Sequence, residues 1–275
     1  MNRKFVYKFE VMTTSCTLII YTQDKLLADS SAKSILNEAK RLEKKYNYYD
    51  DNSFLSEINL RKSNLLDQES KSLLQRAKQY YKNTNGVFDI TIATIKNLYI
   101  NEKKIDDLEL KKASLYSYVG CEHFNIKKDK IIFDNNYTKI DLGGFVKEYA
   151  VDRAVKILKK NKIRSALVNF GGDIYALGRR PNNKKFVVGI KNPNNPTIHA
   201  KKIKIEDEAL TTSASYERTY AIESKTYSHI ISKDDFKSNS KSVTVISNSC
   251  VESGVYSTSL MVDSSIKTSN KVLIL

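Results

Sequence analysis

Cysteine is scarce in this sequence, and the few cysteines lie far apart. The chain of 275 residues has three, Cys16, Cys121 and Cys250. Their odd number and wide spacing match neither a disulfide framework nor a metal-binding motif. We therefore interpret them as buried or spectator thiols in a reducing compartment, which argues against a small disulfide-stapled secreted domain.

Long apolar runs are also absent. No stretch of the sequence approaches the run of about 18 apolar residues that a membrane-spanning helix needs. Residues 1–16 include basic side chains, but the apolar core of a signal peptide does not follow them. Cys16 likewise lacks the apolar segment that precedes a lipid-modified cysteine. We expect a cytoplasmic protein without a membrane span.

Acidic residues are outnumbered by basic ones. The sequence has 46 Lys and Arg against 31 Asp and Glu, a formal net charge of +15. The lysines are spread from end to end, with no arginine-rich helix, zinc-finger spacing or RNA-recognition signature. We therefore expect no nucleic-acid partner, although a positive field attracts phosphorylated ligands.

The pattern of apolar residues predicts a β-rich chain with a few long helices, hence an α+β fold. Residues 26–46 and 68–82 have a helical period, and residues 107–115 and 253–261 are shorter predicted helices. Residues 46–64 are predicted to be irregular. Two strands are predicted within residues 5–22, a hairpin at 124–133 and a strand at 165–172. Further strands are predicted at FVVGI, HAKKIKI, RTYAI, HII, SVTVIS and VLIL.

Residues 139–160, KIDLGGFVKEYAVDRAVKILKK, are the most informative stretch. They read as a short strand, a Gly143-Gly144 turn and a helix. Unpaired N–H groups at the start of a helix favour an anion there, and Asp141 and Lys147 flank the turn. On this stretch alone, an ordinary strand–turn–helix with two solvated charges fits as well.

Further motifs favour the anion-binding turn over the ordinary strand–turn–helix. Seven motifs along the chain occur in the order found in one protein family. Residues 141–152 read DLGGFVKEYAVD, and residues 169–174 read NFGGDI. They resemble DLGGIAKGYAVD and NLGGDI of the ApbE-type flavin transferases (FAD:protein FMN transferases). The other matching segments are residues 49–59, 86–92, 212–218, 229–233 and 242–246.

The resemblance implies a two-lobed, T-fold-related α+β domain spanning residues 1–275. It also implies a metal-dependent reaction in which the pyrophosphate of FAD is cleaved. The FMN half is attached through its phosphate to a Thr or Ser of an acceptor flavoprotein. FAD is then a substrate, and Mg²⁺ the expected cofactor.

The resemblance also assigns roles to residues that match the family motifs. Tyr49 is expected to stack on a ring of the ligand, and Ile231 to touch the flavin. The remaining expected contacts with the flavin nucleotide are Met12, Val87, Phe88, Asp89, Asp141 and Lys147.

The implied metal ligands are Gly144, through its carbonyl, and Ser257 and Thr258. His229 is the implied group for proton transfer from the acceptor hydroxyl. The alternative for His229 is a structural histidine at the end of a strand.

One departure from the family pattern concerns the metal. The last helix of the family has an aspartate that binds Mg²⁺, and the matching position here is Gly254. Glu252 could substitute only if the helix begins after it. Ala214 and Ser232 also differ from the family motifs. We expect a weakened metal site, and the alternative function is a catalytically impaired FAD-binding protein: a carrier, a regulator or a slow FAD pyrophosphatase.

Overall fold

The computed structural model describes residues 2–215, 219–228, 230–233 and 238–275, without the side chain of Pro196. The helices of this part of the chain are α1 (Lys25–Tyr46), α2 (Phe54–Asn59), α3 (Gln68–Asn83), α4 (Ala93–Lys96), α5 (Leu98–Asn101), α6 (Ile105–Leu115), α7 (Gly143–Lys160) and α8 (Cys250–Val262). Its strands are β1 (Arg3–Val11), β2 (Thr14–Thr22), β3 (Phe124–Lys127), β4 (Lys130–Phe133), β5 (Ala166–Phe170), β6 (Asp173–Leu177), β7 (Phe186–Asn192), β8 (Asn195–Ile205), β9 (Glu208–Ala214), β10 (Thr219–Ile222), β11 (Lys225–Ser228), β12 (Ser242–Ser247) and β13 (Lys271–Ile274).

The centre of the molecule is an antiparallel sheet of seven described strands, in the order β1-β2-β5-β6-β9-β12-β13. Alternate side chains of a strand point to opposite faces. Ile174 and Ala176 of β6 pack against the hairpin β7–β8. Tyr175 and Leu177 belong to the core on the helical face. Both faces of the sheet are therefore covered, which explains why β6 and β12 are buried along their whole length.

The helices α1, α7 and α8 cover the face of the sheet opposite the β7–β8 hairpin. α1 packs against α7, and α8 packs against α7, β9 and β12. Asp24 caps α1 by accepting a hydrogen bond from the Leu27 amide at 3.0 Å. The buried stripe of α1 recurs every three or four residues, as expected for a helix on a sheet, and comprises Ala28, Ala32, Ile35, Ala39 and Leu42. Among the described residues, no helix is both long and apolar enough to cross a bilayer.

The predicted α+β class is confirmed. The five predicted helices correspond to α1, α3, α6, α7 and α8, and the predicted hairpin corresponds to β3–β4. The short strand predicted before the Gly143-Gly144 turn is wrong, because residues 139–142 are not in a strand. The prediction of an irregular segment at residues 46–64 is wrong in part, because α2 forms there. Its start is fixed by Ser53, whose hydroxyl accepts from the Ser56 amide at 3.0 Å.

Two central strands were not predicted from the sequence. β6 follows the Gly171-Gly172 turn at once and is buried on both sides, so it lacks the alternation of a half-exposed strand. β9 reads EALTTSA, which resembles a loop, yet it lies between β6 and β12. There Thr212 and Thr244 hydrogen-bond across the strands at 2.8 Å. The predicted strand HII begins at His229, which lies outside the described residues, and Ile230 and Ile231 are not in a strand.

A charge network ties α1, α3 and α7 together on the helical face. Glu69 of α3 accepts hydrogen bonds from both terminal nitrogens of Arg41, at 2.9 and 2.7 Å, and from Lys45 Nζ at 2.9 Å. The hydroxyl of Tyr149 donates to Glu69 at 3.3 Å. Burial alone would raise the pKa of Glu69, but the bonds from Arg41 and Lys45 lower it to about 2.

Replacing Glu69 with Gln should lower the free energy of unfolding at pH 7 by about 1–2 kcal/mol, because two cations lose a charged acceptor at the edge of the core. The folded pKa of Glu69 lies below its ordinary value of 4.5. Its stabilising contribution is therefore complete above about pH 4.5 and is lost as the pH falls toward 2. Urea unfolding at pH 7 and pH 3 measures the difference between wild type and variant.

The matched control is Glu109→Gln on the exposed face of α6. An effect of Glu69→Gln that equals the control, or that is unchanged between pH 7 and pH 3, would show that the network does not stabilise the fold.

Candidate functional site

The first turn of α7 opens toward space that no other part of the described chain fills. Asp141 Oδ1 accepts a hydrogen bond from the Gly143 amide at 2.8 Å and so caps the turn. Gly144 has non-helical dihedral angles, φ −87° and ψ 18°. A Cβ atom built on Gly144 would meet no atom within 4 Å. The peptide groups of this turn are therefore accessible to a ligand.

Asp141 also forms an ion pair with a lysine that the sequence did not single out. Its Oδ2 lies 2.5 Å from Lys96 Nζ. Burial alone would lower the pKa of Lys96, but Asp141 raises it above its ordinary value, so Lys96 remains charged. The two residues are 45 positions apart in the sequence, so no local sequence pattern could predict this ion pair.

Lys96 connects this turn to an exposed aromatic side chain. Its Nζ lies 5.4 Å from the ring centroid of Tyr48 and 5.1 Å from that of Tyr49. Tyr49 is 65% exposed and meets Tyr48 edge to face. An exposed ring that a cation holds near the first turn of α7 is available for stacking on a planar ligand.

Lys147, one turn further along α7, pairs with a buried carboxylate. Its Nζ lies 2.6 Å from Asp173 Oδ2, and the Asp173 side chain is only 3% exposed. Burial raises the pKa of Asp173, and Lys147 opposes that rise. Burial alone would lower the pKa of Lys147, but Asp173 and Glu148 raise it. Asp141 and Lys147 flank the turn as predicted, but each pairs with a different partner.

Asp173 is positioned by the second glycine pair. Gly171 and Gly172 both have positive φ, +62° and +99°, which suits the tight turn between β5 and β6.

The turn between β1 and β2 approaches this glycine pair closely. The Gly171 amide donates to the Ser15 carbonyl at 3.1 Å, and a Cβ on Gly171 would lie 2.0 Å from Thr14 Oγ1. The turn between β1 and β2, which contains Met12, therefore reaches the same end of the sheet. The Met12 amide is held by Glu43 Oε1 at 2.5 Å.

α8 runs antiparallel to α7 and meets it at a defined register. Asp152 accepts hydrogen bonds from the amides of Cys250 and Val251, at 2.7 and 3.2 Å, at the start of α8. One turn back along α7, Glu148 abuts Gly254, which is one turn forward along α8. Continuing by one more turn in each helix brings Gly144 opposite Thr258.

Hydroxyl groups cluster around Ser257 and Thr258, in the second half of α8. Ser213 of β9 hydrogen-bonds Ser257 at 2.8 Å and Thr258 at 3.1 Å. The hydroxyls of Ser257 and Thr258, like the Gly144 carbonyl predicted as a further ligand, are oxygen donors of the kind that suits Mg²⁺. In the described part of the chain, no three His, Cys, Asp or Glu side chains cluster as a metal site. Glu252 does not provide a replacement carboxylate, because α8 begins at Cys250 and Glu252 Oε1 accepts from Asn270 instead.

Two residues predicted to contact the ligand, Phe88 and Asp89, have side chains that are engaged by other residues of the protein. Phe88 is 7% exposed and its ring packs against Phe145 at 5.8 Å. Asp89 Oδ1 accepts from the amide and hydroxyl of Thr91 at 2.7 and 2.6 Å, and burial raises its pKa. Phe88 therefore packs behind the first turn of α7, whereas Asp89 holds Thr91. Direct contact of these side chains with a nucleotide stays a prediction.

Three predicted site residues remain, Val87, Ile231 and His229. Val87, like Tyr256 of α8, packs against a buried cluster that includes Val243 and Leu260. Ile231 packs with Tyr99, Leu108 and Ile222. His229 lies outside the described residues. The roles of these three residues stay predictions.

Solved structures with the same architecture are flavin transferases and a related protein. The ApbE protein of Thermotoga maritima superposes with a TM-score of 0.88 at 24% identity, covering 99% of this chain and 94% of that one. The flavin transferase ApbE of Vibrio cholerae superposes with a TM-score of 0.83 at 20% identity, covering 100% of this chain and 97% of that one. At these identities the likeness defines the fold.

The sequence identifies the family. Residues 12–271 match the model of the ApbE family, and the chain belongs to that family. The FAD:protein FMN transferase of Chlamydia pneumoniae is 28% identical over 229 residues, 78% of this chain and 71% of the relative. The FAD:protein FMN transferase of Vibrio cholerae is 27% identical over 262 residues, 89% of this chain and 77% of the relative.

Replacing Lys147 with Met should lower the free energy of unfolding by about 3 kcal/mol, because Asp173 would remain as a buried charge without its partner. The double variant Lys147→Met/Asp173→Asn should recover most of this loss, since it removes both charges of the pair. Chemical denaturation of the ligand-free protein measures both effects. The control is Lys156→Met on the exposed face of α7, and a Lys147→Met cost no larger than that of the control would contradict the account.

Proposed function

We propose that this chain is an FAD:protein FMN transferase. The observation that carries the proposal is the meeting of the accessible Gly143-Gly144 turn, the Lys147–Asp173 ion pair and the hydroxyls of α8 at one end of the sheet. Membership of the ApbE family over residues 12–271 supports it. Relatives that carry the name FAD:protein FMN transferase support it as well.

The proposed reaction exchanges one phosphoester for another. The hydroxyl oxygen of a Thr or Ser of the acceptor flavoprotein attacks the phosphorus of the FMN half of FAD. An oxygen–phosphorus bond forms to the acceptor, and the bond from that phosphorus to the bridging pyrophosphate oxygen breaks. AMP leaves with the electron pair, and the hydroxyl proton passes to a base.

Three features of the site suit a diphosphate substrate. The Gly144 peptide group in the first turn of α7 faces open space, and its amide can donate to a phosphate oxygen. The ammonium of Lys147 stays charged within its pair with Asp173 and attracts the pyrophosphate. Tyr49, exposed beside Lys96, provides a surface for a ring of the substrate.

Mg²⁺ dependence belongs to the proposal too. The Gly144 carbonyl and the hydroxyls of Ser257 and Thr258 would hold the ion, and these are oxygen donors of the type that it prefers. A bound Mg²⁺ supplies stabilisation of the negative charge that develops on the leaving AMP. His229 is the proposed acceptor of the hydroxyl proton.

Incubation with FAD, Mg²⁺ and a flavoprotein that carries an acceptor Thr or Ser should release AMP and add the mass of FMN to the acceptor. EDTA should abolish both products, and His229→Ala should lower the rate of transfer at least 100-fold, the usual size of a general-base contribution. Mass spectrometry of the acceptor and chromatography of AMP measure the two products. The control is His199→Ala, an exposed position on β8.

Two outcomes would overturn the proposal in different ways. Tight FAD binding without AMP release or transfer would favour the impaired FAD-binding protein. Absence of FAD binding would remove both functions. Transfer at the wild-type rate by His229→Ala would leave the reaction intact and refute the role of His229.

Replacing Asp141 with Ala should weaken FAD binding at least tenfold, because the cap of the Gly143 amide and the partner of Lys96 are lost together. Titration of FAD followed by flavin fluorescence measures the dissociation constant. Asp51→Ala, an exposed carboxylate two residues from Tyr49, is the charge-matched control. Unchanged affinity in Asp141→Ala would place the nucleotide elsewhere.

A further inference from the structure

Glu148 is a buried carboxylate that the fold leaves without a complete set of partners. It lies on α7 and is 6% exposed. Its Oε2 atom is buried and accepts no hydrogen bond from the described residues. Burial of an unpaired carboxylate oxygen opposes folding, so its presence between two packed helices requires an explanation.

The neighbouring lysine does not explain it. Lys147 Nζ is committed to Asp173 at 2.6 Å, and no ion pair joins Lys147 to Glu148 among the described residues. Burial raises the pKa of Glu148 to about 8, and the charge of Asp173 adds to that rise. Lys147 therefore serves Asp173, and Glu148 is a further buried carboxyl group without a cation partner of its own.

Glu148 occupies the space that a side chain at residue 254 would need. A Cβ built on Gly254 would lie 2.6 Å from Glu148 Cγ and 2.9 Å from its Oε1. Gly254 is the position at which the family motif has a carboxylate, and residue 148 is glycine in that motif. Relative to the family motif, the carboxylate is on α7 at residue 148 and the glycine is on α8 at residue 254. A carboxylate therefore still lies at the α7–α8 contact.

The register of the two helices places this carboxylate next to the other oxygen donors. Glu148 is four residues after Gly144 on α7, and Gly254 is four residues before Thr258 on α8. Residues four apart lie on one face of a helix, one turn from each other. Because the helices are antiparallel and Glu148 touches Gly254, extending this register by one turn places Gly144 of α7 beside Thr258 of α8.

We propose that Glu148 supplies the carboxylate ligand of a divalent cation, Mg²⁺, bound between α7 and α8 with the Gly144 carbonyl and the Thr258 hydroxyl. One carboxylate with neutral oxygens and substrate phosphates is a usual Mg²⁺ environment. The inference rests on the proposed function for the identity of the phosphate substrate. Its test needs no turnover.

The experiment titrates Mn²⁺ into the purified protein and follows the free ion by electron paramagnetic resonance, with Mg²⁺ as competitor. Glu148→Gln keeps the shape of the side chain and should raise the Mn²⁺ dissociation constant at least tenfold. Glu252→Gln removes a carboxylate from α8 that faces Asn270, and it should bind Mn²⁺ within twofold of wild type.

The exchange variant Glu148→Gly/Gly254→Asp moves the carboxylate back across the helix contact. It should restore the Mn²⁺ dissociation constant to within about threefold of wild type. Gly254→Asp alone should melt at a lower temperature than wild type, since its Cβ would lie 2.6 Å from Glu148 Cγ.

Thermal melting of the metal-free proteins separates ligation from a structural role. Glu148→Gln should melt near the wild-type temperature without metal, because Gln keeps the shape and burial of the side chain, and should lose the stabilisation by Mg²⁺. Wild-type Mn²⁺ affinity in Glu148→Gln would overturn the inference, even if flavin transfer is observed. Metal binding that depends on Glu148 in a chain without transfer activity would support the inference and refute the proposed function.

Discussion

The antiparallel contact between α7 and α8 is the constraint on which the candidate site depends. Asp152 fixes the register by accepting two amides at the start of α8. The same register sets Glu148 against Gly254. Since both helices also pack on the central strands, the glycine turn at the start of α7 and the hydroxyls of α8 are held at one end of the sheet.

Charge is concentrated at this end at a cost to stability. Lys147, Glu148 and Asp173 are all largely buried, and two of them are acids whose pKa values are raised by burial. Folding alone offers no reason for such a cluster, since buried ion pairs are often no better than apolar packing. The proposed cation and polyanionic substrate would give the cluster a reason, because together they would complete its charge balance.

Much of the fold followed from local patterns. The long helices have an apolar period and the β3–β4 hairpin alternates, so these elements were predicted near their observed bounds. β6 and β9 were missed because a strand that is buried on both faces, or that is rich in Thr and Ser, lacks the alternation by which strands are recognised. Their places in the sheet come from pairing with distant strands.

The site could be predicted only in part. The glycine turn, Lys147 and Thr258 were found through motifs, whereas the partners that give them their environment are distant in the sequence. Lys96 is 45 residues from Asp141, and Gly254 is 106 residues from Glu148. Considered alone, Gly254 predicted a weakened metal site. Only the packing of the two helices reveals a carboxylate in the place that the glycine leaves free.

The most direct test of this account is the position of the cation itself. Crystals grown with FAD and Mn²⁺ would give an anomalous difference peak at the metal. The account predicts a peak in contact with the Gly144 carbonyl, the Thr258 hydroxyl and a carboxylate oxygen of Glu148, beside the pyrophosphate. A peak elsewhere, or one at α7 and α8 with Glu148 turned away from it, would contradict the central claim.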